Sequence, residues 1–127
     1  MIEFLSLHHV SLAVRDLEQA RHFYTEILGF QEMQRPPVTS KGVWYSIGTQ
    51  QLHLIENPPG KILRGSGENT VDGHFAISVS SYKQTIEFLE SASIKYDANP
   101  NSVVGFSQIY IVDLDYNTIE FASPYGS

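Results

Sequence analysis

Hydrophobic and polar residues alternate in two short segments that lie far apart in the chain. In residues 7–14, valine and leucine take the even positions from 10 onward, and His9 lies on the opposite face with small residues. In residues 74–80 the apolar side chains take the odd positions, opposite His74. This two-residue period predicts two half-buried strands, each with a histidine at the start of its more polar face.

A helix start follows each predicted strand. Asp16 with Gln19, and Ser81 with Gln84, resemble capping boxes, in which a polar side chain accepts a hydrogen bond from the backbone three residues later. Apolar residues then recur at helical spacing, up to Gly29 in the first case and over a similar length in the second. These apolar positions are Leu17, Ala20, Tyr24, Ile27 and Leu28 in the first helix and Tyr82, Ile86, Phe88 and Leu89 in the second.

Three further strands are predicted after each helix. They are residues 30–35, 43–47 and 51–56 in the first half and residues 94–98, 106–113 and 117–122 in the second. The fold class is therefore α+β, with two βαβββ modules, residues 4–56 and 74–122, in a single domain of 127 residues. Residues 57–73 contain two prolines and four glycines without periodicity, which predicts a linker that could fold over a pocket as a lid.

Four polar residues take matching places in the two modules. His9 and His53 are 44 residues apart, and His74 and Glu120 are 46 residues apart. In the last strand of each module, His53 and Glu120 lie between apolar residues and point away from them. If the two sheets curve toward each other, the four side chains converge on one cleft and can bind a metal ion. The alternative is that the histidines line a wet groove and Glu120 faces solvent.

The predicted donor set favours particular metals. Three imidazoles and one carboxylate suit Zn²⁺, Ni²⁺, Co²⁺, Fe²⁺ or Mn²⁺ better than Ca²⁺ or Mg²⁺, and the chain has no cysteine that could add a thiolate. Four protein ligands on an octahedral ion leave two positions for water or substrate, as in a catalytic site. His8, on the opposite face of its strand, and His22, on a helix surface, are assigned structural or solvated roles.

Composition excludes several classes of partner. The net charge of −6 and the absence of a run of Lys or Arg disfavour nucleic acid and anionic membranes. No apolar stretch approaches the roughly 20 residues of a membrane span, and the first residues lack the pattern of a signal peptide. We therefore expect a soluble, cytoplasmic protein.

Several segments resemble the vicinal oxygen chelate superfamily, which includes glyoxalase I, bleomycin-resistance proteins, fosfomycin-resistance enzymes and extradiol dioxygenases. Residues 7–17 and 23–30 resemble the opening of its first module. Residues 73–77 and 113–121 resemble the second histidine strand and the turn and glutamate that end the second module. The similarity covers nearly the whole chain and implies a fold of two modules with curved mixed sheets around a metal-binding cleft.

The resemblance also implies a ligand set and a reaction. The ligands carry over to His9, His53, His74 and Glu120. A ligand at His53 favours the four-ligand, glyoxalase I-like members over the extradiol dioxygenases, which use two histidines and one carboxylate. The implied function is that of a divalent-metal-dependent lyase or isomerase, which acts on a small substrate with vicinal oxygens through an enediolate. Glu120 is then the candidate base, and His53 is the second candidate catalytic residue. A homodimer is also implied.

The sequence departs from the family pattern and leaves two other functions open. The turn at residues 113–117 lacks the usual proline and glycine, so Asn117 is expected to adopt a left-handed conformation. The arginine and asparagine of a glutathione site and the C-terminal basic residue of a phosphonate site are not found. The alternatives are an extradiol-type Fe(II) dioxygenase, with His53 as a nearby acid or hydrogen bonder, and a metal-independent small-molecule (antibiotic) binding or resistance protein. Trp44, Gln108 and Tyr110 are expected near the pocket, mainly as packing residues.

Overall fold

The computed structural model describes residues 1–57 and 73–127. They form two compact units, residues 1–57 belonging to the first and residues 73–127 to the second. Each unit contains one four-stranded mixed sheet and one helical segment, in the chain order strand, helix, three strands. The α+β class and the repeated βαβββ pattern are therefore confirmed. The predicted linker and its possible role as a lid fall almost entirely outside the described residues.

The sheet of the first unit has the strand order β1-β4-β3-β2. Its strands are β1 (His9–Val14), β2 (Gln31–Met33), β3 (Gly42–Ile47) and β4 (Gln50–Glu56). β1 and β4 are parallel, and the other two pairings are antiparallel. The parallel register places His9 beside Gln51 and Ser11 beside His53. Laterally paired residues share a face, so His9 and His53 occupy adjacent rows of one face.

The first helix begins and ends where the sequence predicts, but its second half is π-helical instead of α-helical. Helix α1 (Leu17–Arg21) starts at Asp16, whose Oδ1 accepts a hydrogen bond from Gln19 N at 3.1 Å. It continues as a π-helical segment, residues 22–27, and ends before Gly29, whose φ of +81° favours glycine. The wider turn shifts the buried face by about one residue. Phe23, which the regular helical pattern omits, is therefore buried, whereas the predicted Ile27 and Leu28 are partly exposed.

The sheet of the second unit has the equivalent strand order, β5-β8-β7-β6. Its elements are β5 (Phe75–Ser78), α2 (Tyr82–Ser91), β6 (Asp97–Asn99), β7 (Ser107–Val112) and β8 (Thr118–Ser123). Ser81 Oγ accepts a hydrogen bond from Gln84 N at 3.1 Å, as the capping pattern predicts. Leu89 is fully buried, but Phe88 is 42% exposed, so its assignment to the apolar face of α2 was wrong. α2 therefore packs through a narrower stripe than expected.

The turn before β8 is held by one carboxylate. Asp113 Oδ1 accepts hydrogen bonds from the backbone N–H groups of Asp115 and Asn117, each at 2.8 Å. The left-handed residue is Tyr116, with φ of +62°, and the expectation that Asn117 would take this conformation was wrong. A positive φ is unfavourable for any residue other than glycine, so Tyr116 carries backbone strain of about 1 kcal/mol or more.

The core of each unit is apolar and aromatic. In the first unit it consists of Val14, Ala20, Phe23, Tyr24, Val43, Tyr45, Leu52 and Leu54, and in the second of Leu89, Ile109, Tyr110, Ile111, Ile119 and Phe121. β8 is buried on both faces, because Glu120 is only 4% exposed while its apolar neighbours are also buried. No helix among the described residues is long and apolar enough to cross a membrane.

Candidate metal-binding site

Two of the predicted ligands, His9 and His53, meet on one face of the first sheet. Their imidazole rings are stacked, with the ring centres 4.2 Å apart and an angle of 16° between the planes. The contact follows from the parallel pairing of β1 with β4, which places the two side chains in adjacent rows. The first unit thus brings together both histidines that the sequence assigns to it.

The environment of His53 orients its ring. Its side chain is buried, and the indole of Trp44, its lateral neighbour on β3, stacks on it with 3.9 Å between the ring centres. His53 Nε2 lies 2.8 Å from Gln51 Oε1. An amide oxygen only accepts, so Nε2 carries the hydrogen and Nδ1 keeps its lone pair. Metal-binding histidines commonly donate their second ring nitrogen in this way, which makes Nδ1 the candidate ligand atom of His53.

The protonation state of His53 also suits a ligand. Burial lowers the pKa of its imidazole below the ordinary value. Charges on His9, His8 and Arg35 lower this pKa further. The ring is therefore neutral at neutral pH, which is the form that binds a metal ion.

His8 lies closer to this pair than the sequence indicates. Its Nδ1 is 2.9 Å from Nδ1 of His9, so one of the two nitrogens donates a hydrogen bond to the other. Alternation had placed His8 on the opposite face, but β1 begins only at His9, and a two-residue period does not apply before the strand. A metal ligand at His9 that keeps this hydrogen bond would use Nε2.

The other two predicted ligands, His74 and Glu120, meet in the second unit. His74 Nε2 lies 3.0 Å from Glu120 Oε1, and the side chains are 24% and 5% exposed. His74 stands one residue before β5, and Glu120 lies in the middle of β8, which is the parallel neighbour of β5. A buried carboxylate therefore has an imidazole as its ionisable partner, and no lysine or arginine of the described residues forms an ion pair with it.

Gln108 and Tyr110, expected to act mainly in packing, form hydrogen bonds beside Glu120. Gln108 Nε2 donates to Glu120 Oε2 at 3.2 Å and to the hydroxyl of Tyr110 at 3.0 Å. Burial raises the pKa of Tyr110, and the negative charge of Glu120 raises it further. The phenol is therefore protonated at neutral pH and can donate a hydrogen bond. Both carboxylate oxygens of Glu120 therefore have partners, Oε1 in His74 and Oε2 in Gln108.

The donor chemistry fits a divalent transition-metal ion. Each unit contributes two of the four predicted ligands, and within neither unit do the described residues gather three metal-binding side chains. Neutral imidazoles and a carboxylate are ligands that such ions prefer. A buried carboxylate such as that of Glu120 is costly unless a positive charge lies beside it, and a bound cation would offset that cost.

Comparison with protein families gives a match over most of the chain. A family model described as "Glyoxalase/Bleomycin resistance protein/Dioxygenase superfamily" matches residues 6–121, which include all four predicted ligands. A protein named Glyoxylase I 4 from Arabidopsis thaliana is 30% identical over 100 residues, and the mitochondrial methylmalonyl-CoA epimerase of Homo sapiens is 31% identical over 97 residues. These alignments cover 75% and 70% of the chain but 56% and 54% of the relatives, so the chain spans just over half of their length.

Solved structures share the fold. A glyoxalase family protein from Bacillus anthracis superposes with a TM-score of 0.79 at 22% identity, covering 98% of this chain and 99% of that one. A mutant of the fosfomycin resistance protein FosX from Listeria monocytogenes, solved with Mn(II) and dihydroxypropylphosphonic acid, gives a TM-score of 0.71 at 21% identity, with 98% and 94% coverage. Identities this low support the fold and leave activity open.

Proposed function

Because the chain belongs to the glyoxalase/bleomycin resistance protein/dioxygenase superfamily, we propose that it is a divalent-metal-dependent enzyme of glyoxalase type. Its substrate would be a small molecule with vicinal oxygens, and the reaction a lyase or isomerase step that passes through an enediolate. Relatives named for glyoxalase and epimerase activities support a reaction at the carbon next to a carbonyl. FosX, whose structure contains Mn(II), supports the use of a divalent ion.

The observation that carries the proposal is the pair of Glu120 and His74. The carboxylate of Glu120 is only 5% exposed, its partners are an imidazole and an amide, and no lysine or arginine of the described residues is paired with it. The same arrangement is useful in a metal enzyme, where the carboxylate can serve as ligand and as base.

His9, His53, His74 and Glu120 are the proposed ligands. A bound Zn²⁺, Ni²⁺, Co²⁺, Fe²⁺ or Mn²⁺ would supply Lewis-acid polarisation of the substrate's vicinal oxygens. The four ligands imply one ion per chain, whether the two modules pair within one chain or across a homodimer.

Glu120 would accept the proton from the carbon beside the carbonyl and return it to the neighbouring carbon. Gln108 donates a hydrogen bond to Glu120 Oε2 and would hold the carboxylate in place. Oε1 would then be the oxygen that accepts the proton. The amide of Gln108 also donates to the hydroxyl of Tyr110. Because this phenol is protonated at neutral pH, it can donate a hydrogen bond to a negatively charged oxygen of the intermediate. Trp44 and Gln51 hold the ring of His53 in one orientation and tautomer.

Two measurements test the proposal together. Elemental analysis after purification gives the metal content, and proton NMR in D₂O follows exchange of the carbon-bound proton of dihydroxyacetone, of a methylglyoxal–glutathione hemithioacetal and of methylmalonyl-CoA. Glu120→Gln keeps the size of the side chain but removes the base, and general-base catalysis typically contributes 10² to 10⁴-fold. We expect exchange to fall by at least about a hundredfold. Glu87→Gln, an exposed change on α2, is the matched control and should leave exchange unchanged.

The proposal fails if the wild-type protein binds one ion per chain yet exchanges none of the three substrates faster than the free ion. It also fails if Glu120→Gln and Glu87→Gln exchange at equal rates. The molecular mass in solution, measured together with the metal content, shows whether the protein that binds one ion per chain is a monomer or a dimer.

The second candidate function is an extradiol-type Fe(II) dioxygenase, in which His53 would act beside the metal site as an acid or hydrogen bonder. The burial of its ring against Trp44 and its hydrogen bond to Gln51 are compatible with this role as well as with that of a ligand. The ligands would then be His9, His74 and Glu120. Oxygen uptake by Fe²⁺-loaded protein with a catechol would support this function, and its absence would exclude it. A metal-independent binding protein, in contrast, predicts that His74→Ala leaves ligand binding intact.

A further inference from the structure

A pocket of about 680 Å³ lies in the first unit, along the second halves of β1 and β4. β1 contributes Ser11 and Ala13 to its lining, and β4 contributes Ile55. By strand alternation these side chains lie on the same face of the sheet as His9 and His53. Ser11 is the lateral neighbour of His53, and Ala13 and Ile55 form the next row, roughly 7 Å further along the strands. The pocket therefore begins in the row of a proposed metal ligand and extends away from both histidines.

The floor of the pocket is apolar. Ile55 is 36% exposed, whereas Leu54, the residue before it on the opposite face, is fully buried. Ala13 pairs laterally with Ile55 and adds a second apolar surface, and its short side chain leaves room above the sheet. A concave site in which a large apolar side chain is exposed is typical of places that bind the apolar part of a ligand.

One wall of the pocket is fixed by hydrogen bonds. Residues 39–41 form this wall just before β3, on the other side of Ile55 from β1. Arg35 Nη1 donates to Ser40 O at 2.7 Å, and Arg35 Nη2 donates to Ser40 Oγ at 2.9 Å. The guanidinium passes over Gly42, where an added Cβ would lie 2.9 Å from Nη2. Arg35 therefore holds the wall in place from behind, and a ligand finds the pocket already formed.

The charges of the pocket lining offset each other. Among the described residues, its charged members are Lys41 and Glu56, whose Nζ and Oε1 atoms are 3.9 Å apart. Glu56 Oε2 also accepts a hydrogen bond from Leu17 N at 3.0 Å, at the start of α1. The other described lining side chains are uncharged. A charged group of a ligand would lose hydration in this pocket without gaining an unpaired charge of opposite sign.

We propose that this pocket is the subsite for the non-reacting end of the substrate and that this end is a short, uncharged hydrocarbon group. The substrate would carry its vicinal oxygens at the metal ligands and would place its apolar end over Ile55. The subsite deepens the proposed function and rests on it for the chemistry at the metal ligands. It favours a small neutral hydroxycarbonyl compound over one whose second end is a carboxylate, a phosphate or a charged carrier.

Three compounds that share a terminal hydroxyketone group test the subsite. 1-Hydroxy-5-methylhexan-2-one ends in an isopropyl group, 5-hydroxy-4-oxopentanoate ends in a carboxylate of nearly the same shape, and hydroxyacetone has no tail. Binding is followed by amide shifts of ¹⁵N-labelled protein, once with EDTA and once with one equivalent of Zn²⁺. Burial of each methylene group contributes about fourfold in affinity. We expect the isopropyl compound to bind at least about tenfold more tightly than either of the others in both conditions, with shifts at Ser11, Ser40 and Ile55.

Variants separate the subsite from repulsion of the carboxylate by the net charge of −6 of the chain. Ile55→Thr keeps a β-branched residue in the strand but removes the apolar floor, and it should lower the affinity ratio of the isopropyl to the carboxylate compound at least about threefold. Val103→Thr, the same kind of change at a fully exposed position in the second unit, should leave the ratio unchanged. If Ile55→Thr does not fold, Ala13→Leu, which fills the space above the floor, must weaken binding of the isopropyl compound and spare hydroxyacetone.

The possible results distinguish the subsite from the proposed function. Equal affinities for the isopropyl and carboxylate compounds in the wild type, or a ratio that neither pocket substitution lowers, would overturn the subsite. A preference for the isopropyl compound in a protein that exchanges no carbon-bound proton would support the subsite and refute the proposed function alone. Rapid proton exchange with methylmalonyl-CoA, without that preference, would support the function and overturn the subsite.

Discussion

Replacement of Gln51 by leucine should weaken metal binding without touching a ligand. Gln51 Oε1 accepts the hydrogen bond of His53 Nε2 at 2.8 Å and so keeps the lone pair on Nδ1. Leucine has a similar size and cannot accept. The His53 imidazole then loses the group that selects its tautomer, and part of the population would carry the hydrogen on Nδ1, the proposed ligand atom.

The size of the expected loss in metal affinity depends on the contacts that still hold the His53 ring after the substitution. A neutral hydrogen bond contributes about 0.5–1.5 kcal/mol, or about two- to tenfold in affinity. Loss of an outer-shell partner of a metal ligand typically costs 10- to 100-fold, because the ring also loses its orientation. In this chain Trp44 and His9 stack on the ring and continue to fix its plane after the substitution. We therefore expect a loss near tenfold, at the lower end of that range.

The assay is competition for Zn²⁺ with a chromophoric chelator at pH 7.5. Gln50→Leu is the matched control, since Gln50 is an exposed neighbour on the same strand and points away from His53. The imidazole ¹⁵N shifts of the metal-free protein give an independent measurement of the tautomer. A loss of less than twofold in Gln51→Leu, or an equal loss in Gln50→Leu, would refute the role of Gln51.

Three further predictions concern the scaffold and its response to pH. Leu89→Ala should lower the free energy of unfolding by about 2–5 kcal/mol in urea denaturation because Leu89 is fully buried, whereas Phe88→Ala should cost about 1 kcal/mol or less; equal losses would contradict the assigned packing of α2. Tyr116→Gly should raise the melting temperature by relieving the positive φ, and a clear decrease would argue against strain in the turn. The lowered pKa of His53 means that the unfolded chain binds a proton there at higher pH than the folded chain, so metal-free stability should fall as pH drops below about 6.5. His53→Gln should flatten that decrease between pH 7.5 and 5.5, and His22→Gln, an exposed control, should not.

The fold was predictable to the extent that each element has a local signal. Alternation located β1 and β5 because one face of each packs against apolar residues and the other does not. Capping residues located both helix starts, and Gly29 marked the end of the first helix. The π-helical turn had no such signal, since its apolar residues also fit a regular helix. The exposure of Phe88 depends on what covers α2, which the spacing of residues along one helix does not specify.

The contacts between the proposed ligands were predictable from the sequence, whereas the hydrogen bonds around them were not. Parallel pairing of the first and last strand in each unit brings His9 to His53 and His74 to Glu120, and the repeat pattern predicts that pairing. Gln51 was missed, although it lies two residues before His53 and so on the same face of β4. A search for polar residues two positions from each candidate ligand would have found it.

A glutamine supports a proposed ligand in each unit, but the two amides act in opposite senses. Gln51 accepts through its oxygen from His53, and Gln108 donates through its nitrogen to Glu120. An amide can do either, so one residue type serves an imidazole in one unit and a carboxylate in the other. A carboxylate at position 51 would still accept from the ring of His53. The same change at position 108 would place a second negative charge beside the buried carboxylate of Glu120, with a cost that only protonation or a bound cation offsets. The pair His9 and His53 and the pair His74 and Glu120 are therefore alike in topology and distinct in electrostatics. Position 108 should tolerate a carboxylate less well than position 51.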